Sequence, residues 1–365
     1  MVVNEGDRTA EYEGRIEALE LRLAELEGER SRIGIPKAGI LLADADRRAV
    51  WKKRGEQYAL IIAWAFLIVV FGIFAPSSAT WANFSSMFSS QGPLIVLTLG
   101  LIIPLTTGDL DLSLVSTTIL TGMSAGLLAA DHHWPLLLAL LAALGIGFIA
   151  GAVNAFFVTY FRIHSLIVTL GTAAFMTGVT LWISGGLTVI VFSRTLADWV
   201  IKGKIYGVSP VFFYGLIVAA IIWYVFEYTT WGRQMLFVGR GREVARLSGI
   251  RVDRVRAVSF IACGTVSGLA GILFLGRAGA MDAMSLQILL LPAFAAAFLG
   301  ATAIIPGRFN PWGSVLAVLF LETGIRGFQL LGTGTYVQNL FYGGGLVIAV
   351  ALSQLVRNRQ RQEFS

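Results

Sequence analysis

The stretch GRGREVARLSGIRVDRVR, residues 239–256, is a charged segment set between two long apolar runs. Residues 229–257 hold seven arginines and two acids, and an excess of positive charge places a short loop on the cytoplasmic side of a membrane. Small and apolar residues alternate here with charged ones, as on a surface helix, and Gly249 supplies a helix stop. We therefore predict a short cytoplasmic helix that docks a soluble partner, formed by Arg242, Glu243, Val244, Ala245, Arg246, Leu247, Ser248 and Gly249.

The composition of the chain is that of a membrane protein. Of its 365 residues, 56% are hydrophobic and 14% are charged, whereas about a quarter of the residues in a soluble domain are charged. The formal net charge of +6 suits contact with anionic lipid and does not require nucleic acid. We predict an all-α polytopic bundle of about ten transmembrane helices.

The sequence lacks the usual residue patterns of catalysis, nucleotide binding and metal binding. It has no Gly-x-x-x-x-Gly-Lys-Ser/Thr loop to hold nucleotide phosphates. Asp131, His132 and His133 could contact a metal, but no second cluster completes a site, so a polar turn is the favoured interpretation. The single cysteine, Cys263, excludes an intrachain disulfide. The chain is therefore predicted not to be an enzyme and to hold neither cofactor nor metal.

Charge divides the chain into three parts. Residues 1–56 form a charged cytoplasmic extension, in which a short heptad stripe favours a solvated helix over pairing with a second copy or a partner (Tyr12, Ile16, Leu19, Leu23 and Leu26). Residues 57–356 form the transmembrane domain, and residues 357–365 form a basic cytoplasmic tail. An even number of spans places both termini in the cytoplasm. The ten predicted spans lie near 58–75, 92–107, 112–130, 134–160, 165–185, 211–228, 257–276, 286–304, 313–331 and 336–356.

A polar turn interrupts the apolar stretch of residues 94–130. Pro104 and Gly108 are expected to break the helix, and Asp109, Asp111 and Ser113 follow. Broken helices at membrane depth occur where they are buried in protein or line a cavity. The alternative is a tight cytoplasmic turn in which Asp111 is a plain N-cap. Both interpretations remain open from the sequence.

Other polar residues inside predicted spans are further candidates for a translocation path, because a charge in hydrocarbon is costly. Glu322 and Arg326 lie four residues apart and so share a helix face. Internal pairing at a bundle or subunit interface is favoured over direct contact with a substrate. Asn154 and Thr169 are explained by hydrogen bonds between helices.

Glycines recur at the spacing of helix contacts. Pairs four residues apart let helix backbones approach closely where lipid gives no hydrophobic drive to pack. Packing inside the bundle is favoured over contact between subunits. The pairs are Gly122 with Gly126, Gly147 with Gly151, and Gly264 with Gly268.

Five segments resemble the signature segments of ribose/galactoside-type ABC importer permeases. They are TGDLDLS (107–113), GAVNA (151–155), VTLGT (168–172), ARLSGI (245–250) and LGAT (299–302). The resemblance implies a bacterial inner-membrane protein in which two permease subunits, identical or related, form the channel. It also implies cytoplasmic ATPases docked on a coupling helix at 240–249 and a periplasmic or surface binding protein that delivers the sugar.

The sequence thus predicts the permease subunit of an ATP-driven importer for a sugar, polyol or similar hydroxylated solute, working by alternating access. The alternatives are an ion-driven secondary transporter using Asp109, Asp111 or Glu322, a passive channel, or a permease for a nucleoside or amino acid. Within the docking segment, Ala245 is expected to contact the ATPase. Arg242 and Arg246 are expected to be rim contacts or lipid anchors.

Overall fold

The computed structural model describes residues 18, 21, 22, 25, 38–130, 132–190 and 194–362. Among these residues the protein forms thirteen α-helices and one small antiparallel pair of strands, β1 (Val189–Ile190) and β2 (Ala280–Met281). Two 3-10 helices, Pro76–Ala79 and Ser285–Leu289, precede longer helices. The α-helices are α1 (Ala38–Phe74), α2 (Trp81–Thr106), α3 (Leu114–Ala130), α4 (Leu136–Thr159), α5 (Ser165–Ser184), α6 (Arg194–Val200), α7 (Pro210–Tyr228), α8 (Thr230–Arg240), α9 (Arg242–Leu247), α10 (Val252–Ala278), α11 (Leu290–Gly300), α12 (Pro311–Leu330) and α13 (Tyr336–Gln362).

Six of the described helical segments are long and apolar enough to cross a membrane. They lie in α1, α2, α4, α5, α7 and α10. Helix α3, residues 285–300 and the first part of α13 are apolar but shorter, and α12 carries the charged pair Glu322 and Arg326. The prediction of a polytopic helical membrane protein is confirmed, and the count of ten spans stays a prediction.

Helix α2 is the central element of the compact unit Glu56–Ser365. It is buried along most of its length by α10, α7, α12 and α11. Its apolar side chains, among them Ile95, Leu99 and Ile102, are fully enclosed. Both ends of this helix are consequently fixed within the bundle, and each end meets a polar cluster.

Helices α4 and α10 cross at glycines. A Cβ atom added to Gly147 would lie 2.6 Å from the carbonyl oxygen of Gly264, and one added to Gly151 would meet the carbonyl oxygen of Phe260. Such distances leave no room for a side chain, so the two backbones are in direct contact. The prediction that these glycines pack inside the bundle is confirmed.

Some sequence-based boundaries differ from the structure. Helix α2 begins at Trp81, eleven residues before the predicted span, because Thr80 caps it by accepting a hydrogen bond from the Asn83 backbone N–H. Pro104 lies inside α2, and the helix ends at Thr106. The heptad stripe of the N-terminal extension and Asp131 lie outside the described residues.

Candidate functional site

The chain between α2 and α3, residues 107–113, forms a compact reversal that we call the acidic turn. Gly108 adopts a φ of 79°, a left-handed conformation that glycine adopts without steric cost. The backbone N–H groups of Thr107 and Asp109 both donate to the Pro104 carbonyl oxygen, at 3.0 Å. This arrangement ends α2 and directs the Asp109 carboxylate toward α8–α10.

Asp109 is bound by two arginines from distant parts of the sequence. Arg256 Nε donates to Asp109 Oδ2 at 2.8 Å, and Arg256 Nη2 donates to Oδ1 at 2.7 Å. Arg242 Nη2 donates to the same Oδ1 at 2.9 Å and to the Gly108 carbonyl oxygen at 3.1 Å. We call Asp109, Arg242 and Arg256 the arginine clasp. Bidentate, charge-assisted contacts of this kind are strong and fix geometry.

Burial differs sharply among the three members of the arginine clasp. The Asp109 side chain is 1% exposed, that of Arg256 is 11% exposed, and that of Arg242 is 41% exposed. Coulombic attraction is strongest where water is excluded. The contact with Arg256 is therefore the stronger of the two, and Arg242 joins the acidic turn to a more solvated surface.

Arg242 is the first residue of α9 (Arg242–Leu247), which we call the docking helix after the role that the sequence predicts for it. On this helix Leu247 is 88% exposed and Val244 is 58% exposed, while Ala245 is fully buried. The buried face packs on α8 and α10, and the Ala245 carbonyl oxygen accepts from the Ile250 N–H at 3.0 Å. An apolar edge of the docking helix is thus presented to solvent.

One expectation for this segment was wrong. Ala245 does not face a partner, because its methyl group packs within its own subunit. Arg242 contacts the buried Asp109 and is 41% exposed, and Arg246 makes long contacts of 3.9 Å to Glu243 and Asp253. That both arginines are rim contacts or lipid anchors stays a prediction. Ser248 caps α9, and Gly249 follows with a φ of 81°.

A cavity of about 580 Å³ separates the docking helix from the acidic turn and the α4–α5 loop. Basic side chains dominate its wall, including Arg162, Arg242, Arg246 and Arg256. Asp109 and Asp253 also line it. Arg242 crosses this space to bridge the docking helix and the acidic turn.

The acidic turn is also held from its other side by a buried hydrogen-bond chain through Thr172, Asn154, Ser113 and Asp111. Thr172 Oγ1 donates to Asn154 Oδ1 at 2.7 Å, and Asn154 Nδ2 donates to Ser113 Oγ at 2.7 Å. Ser113 Oγ then donates to Asp111 Oδ1 at 2.6 Å. These hydrogen bonds bring together three of the signature segments, namely 107–113, 151–155 and 168–172.

Thr169 and Ser165, at the start of α5, contact the middle of the acidic turn. The Thr169 hydroxyl donates to the Ser165 carbonyl oxygen at 2.8 Å, and more weakly to that of Leu110 at 3.4 Å. The Leu110 N–H in turn donates to Ser165 Oγ at 3.2 Å. The first turn of α5 is therefore hydrogen-bonded to the Leu110 backbone in the acidic turn.

Glu322 and Arg326 form a second polar cluster at the opposite end of α2. Arg326 Nε donates to Glu322 Oε1 at 2.6 Å, and Arg326 Nη2 donates to Ser90 Oγ at 2.7 Å. The predicted internal pairing of these residues is confirmed. With a rise of about 1.5 Å per residue, Ser90 and Thr106 lie roughly 24 Å apart along α2, so this pair is not part of the acidic turn.

Sequence reasoning did not single out Arg256 or Ser90. Arg256 is one of seven arginines in residues 229–257, and its position in the first turns of an otherwise apolar helix is a signal for a buried partner. Ser90 lies in the serine-rich start of α2, before the predicted span at 92–107. Both residues act through contacts that no local spacing reveals.

The known proteins to which this chain is similar are permease proteins of transport systems. A family model described as "Branched-chain amino acid transport system / permease component" matches residues 83–350. The D-allose transport system permease protein AlsC of Escherichia coli K12 is 29% identical over 307 residues, which are 84% of this chain and 93% of AlsC. The ribose import permease protein RbsC of the same strain is 29% identical over 311 residues, 84% of this chain and 94% of RbsC.

A relative from a different genus gives the same result. The L-arabinose ABC transporter permease protein AraH of Azospirillum brasilense is 28% identical over 316 residues, covering 85% of this chain and 93% of AraH. No solved structure matches the chain.

Proposed function

Because the chain belongs to the family of permease components of the branched-chain amino acid transport type, we propose that it is the membrane-spanning subunit of an ATP-driven ABC importer. Its solute is a sugar, a polyol or a similar small hydroxylated molecule, in line with the names of its allose, ribose and arabinose relatives. The observation that carries the proposal is the docking helix, tied by Arg242 to the acidic turn of the bundle.

The contacts supply a mechanical route from a cytoplasmic ATPase to the bundle. The ATPase seats on the exposed edge of the docking helix at Val244 and Leu247. Displacement of that helix pulls on Asp109 through Arg242, and Asp109 is part of the acidic turn between α2 and α3. Alternating access then follows from a shift in population between outward-facing and inward-facing states.

The hydrogen-bond chain carries the displacement onward. Asp111 and Ser113 in the acidic turn are joined through Asn154 to α4 and through Thr172 to α5. We place Asp111, Ser113, Asn154 and Thr169 beside the translocation path at its cytoplasmic end. Asp109 has a coupling role, since both of its oxygens are occupied by arginines.

The remaining parts of the assembly follow from the same proposal. The ATP hydrolysis belongs to separate cytoplasmic subunits, a binding protein delivers the solute, and a second permease copy or a related subunit completes the channel. The transmembrane domain comprises residues 57–356 and crosses the bacterial inner membrane ten times, with the extension 1–56 and the tail 357–365 in the cytoplasm.

The occupied state of Asp109 disfavours the ion-driven alternative at that residue. A carboxylate that relays a proton or sodium ion must be free to change its partner, and Asp109 accepts four hydrogen bonds from side chains at 2.7–3.3 Å. Glu322 is likewise paired with Arg326.

Co-purification tests the docking surface. Leu247→Asp places a charge on the exposed apolar edge and is expected to release the ATPase and abolish uptake in proteoliposomes. The matched control is Leu187→Asp, a 73% exposed leucine that follows α5 at the opposite end of the bundle. Retention of the ATPase and of normal uptake by Leu247→Asp would refute the proposal.

Cysteine labelling tests the sidedness. Cys263 is buried and gives a low background, so single cysteines can be introduced into the natural chain. Leu247→Cys should react with a membrane-impermeant maleimide only after the membrane is opened, and Leu187→Cys should react in intact spheroplasts. The reverse pattern would invert the topology.

A further inference from the structure

A second cavity of about 510 Å³ lies at the start of α2, at the end of the bundle opposite the acidic turn. Three serines of α2, Ser85, Ser86 and Ser89, line one wall. Lys204 and Arg277 line it from the α6–α7 loop and from the last turns of α10. We call this cavity the serine vestibule. Its volume lies within the range of small-molecule pockets, roughly 300–1,000 Å³.

The charge on the wall of the serine vestibule is positive. Lys204 and Arg277 line it, and no aspartate or glutamate does so among the described residues. Neither cation forms an ion pair in the part of the chain that the structure describes. Arg326 and Glu322 both act on Arg277 through space with opposite signs, and these two residues form an ion pair with each other. The two cations are therefore available to an anionic ligand.

The serine hydroxyls complement this charge. Ser85 Oγ donates to the Ala82 carbonyl oxygen at 3.1 Å, and Ser89 Oγ donates to the Ser85 carbonyl oxygen at 2.7 Å. Because their protons are engaged with the helix backbone, these oxygens act as acceptors toward a ligand hydroxyl. Ser89 Oγ already accepts from the Ser209 N–H at 2.8 Å, so it offers one remaining lone pair. Ser86 Oγ accepts only a long contact of 3.5 Å from Arg326. The wall thus combines acceptors for hydroxyl groups with cations for an acid group.

We propose that the serine vestibule is the outer solute subsite of the permease and that it selects an anionic polyhydroxylated solute, a sugar acid, over the neutral sugar or polyol of the same length. The proposal rests on the importer function and narrows its solute class. The carboxylate binds Lys204 and Arg277, and the hydroxyls bind Ser85, Ser86 and Ser89.

The test compares two ligands that differ only in the acid group. D-gluconate and D-glucitol share a six-carbon chain of hydroxyls, and acetate has the acid group alone. Equilibrium binding of each is measured on the purified full-length protein in lipid nanodiscs. Two partly exposed ion contacts predict that D-gluconate binds about tenfold more tightly than D-glucitol. Acetate, which lacks the hydroxyls, should bind more weakly than D-gluconate.

Variants assign the preference to the two cations. Lys204→Gln and Arg277→Gln together should reduce the preference for D-gluconate to less than about twofold, with each single change giving an intermediate value. Lys202→Gln is the matched control, because Lys202 pairs with Asp198 at the surface and does not line the vestibule. It should leave the preference unchanged.

Salt provides a measurement on the unmodified protein. Raising the ionic strength from about 0.05 to 0.5 M shortens the Debye length several-fold and should weaken D-gluconate binding while leaving D-glucitol binding unchanged. Equal binding of the two ligands, no binding of either, or a preference that survives the double substitution would overturn the proposal. Co-purification of the ATPase with the wild type and its loss in Leu247→Asp report on the importer function separately.

Discussion

The arginine clasp allows stability and coupling to be separated by single substitutions. Asp109→Asn removes the negative charge but preserves the shape of the side chain, and it leaves the largely buried guanidinium of Arg256 without its ion-pair partner, with Asp253 as a more distant opposite charge. Arg242→Gln removes the half-exposed arginine and leaves Asp109 with both hydrogen bonds from Arg256. Arg256→Gln removes the buried arginine and leaves Asp109 with its contact to Arg242.

Burial sets the size of each effect. Removing one partner of a buried ion pair costs about 3–5 kcal/mol, which applies to Asp109 at 1% and Arg256 at 11% exposure. The contact of Arg242 is discounted by solvent at 41% exposure, so its loss costs about 0–1 kcal/mol. On the scale of soluble domains of 150–250 residues, about 2–4 °C per kcal/mol, Asp109→Asn lowers the midpoint of thermal unfolding by about 6–20 °C. On the same scale Arg242→Gln lowers it by about 4 °C or less.

The substitution that is expected to affect transport most is not the one that is expected to affect thermal stability most. Arg242 bridges the docking helix and the acidic turn, so Arg242→Gln should keep the ATPase bound and the protein folded while abolishing solute-stimulated hydrolysis and uptake. The assays are thermal unfolding in detergent, ATPase co-purification, and hydrolysis with and without solute in proteoliposomes. Arg246→Gln, which alters only 3.9 Å contacts on the same helix, is the matched control.

Two results would refute this reasoning. If Asp109→Asn unfolds no earlier than Arg242→Gln, the buried charge is not the source of stability. If Arg242→Gln couples hydrolysis to uptake as the wild type does, the clasp is not the mechanical link and another contact carries the displacement.

Three further substitutions probe other contacts. Ala245→Trp should destabilise the packing of the docking helix on α8 and α10 by about 1–3 kcal/mol through overpacking, which is measured as a lower temperature of thermal unfolding. Leu247→Asp should leave the unfolding temperature unchanged and should only release the ATPase on co-purification. Glu322→Gln should reduce expression of folded protein more than the double change with Arg326→Leu, because the single change strands a partly buried cation. Gly151→Leu should separate α4 from α10 and lower the thermal midpoint; a wild-type midpoint would show that the helices can move apart freely.

Local patterns in the sequence were enough for features that lie within one helix or between regularly spaced residues. Glu322 and Arg326 pair as predicted because four residues bring side chains onto one helix face. The glycine pairs of α4 and α10 pack inside the bundle as predicted, because a four-residue spacing leaves a groove for a neighbouring helix; that the two pairs meet each other is seen only in the structure. The segment 242–249 contains the short helix expected from its mixed composition.

Tertiary placement decided the features that the sequence did not predict. Arg242 and Arg256 lie 133 and 147 residues after Asp109, and no local rule selects them from seven loop arginines. The inward direction of Ala245 depends on how α8 and α10 support the docking helix. The start of α2 lies outside the predicted span at 92–107, and its serines fit into the helix because they donate hydrogen bonds to the helix backbone.

The sequence separation within the arginine clasp means that Asp109 is synthesised well before Arg242 and Arg256. At about 5–20 residues per second, the ribosome reaches Arg256 roughly 7–30 s after Asp109, since 147 residues separate them. During that interval the first helices are already made while the carboxylate has no arginine to bind. The ionic contact can close only when the second half of the chain arrives, so a nascent chain that stops before Arg242 retains an unneutralised acid that distinguishes it from the finished protein.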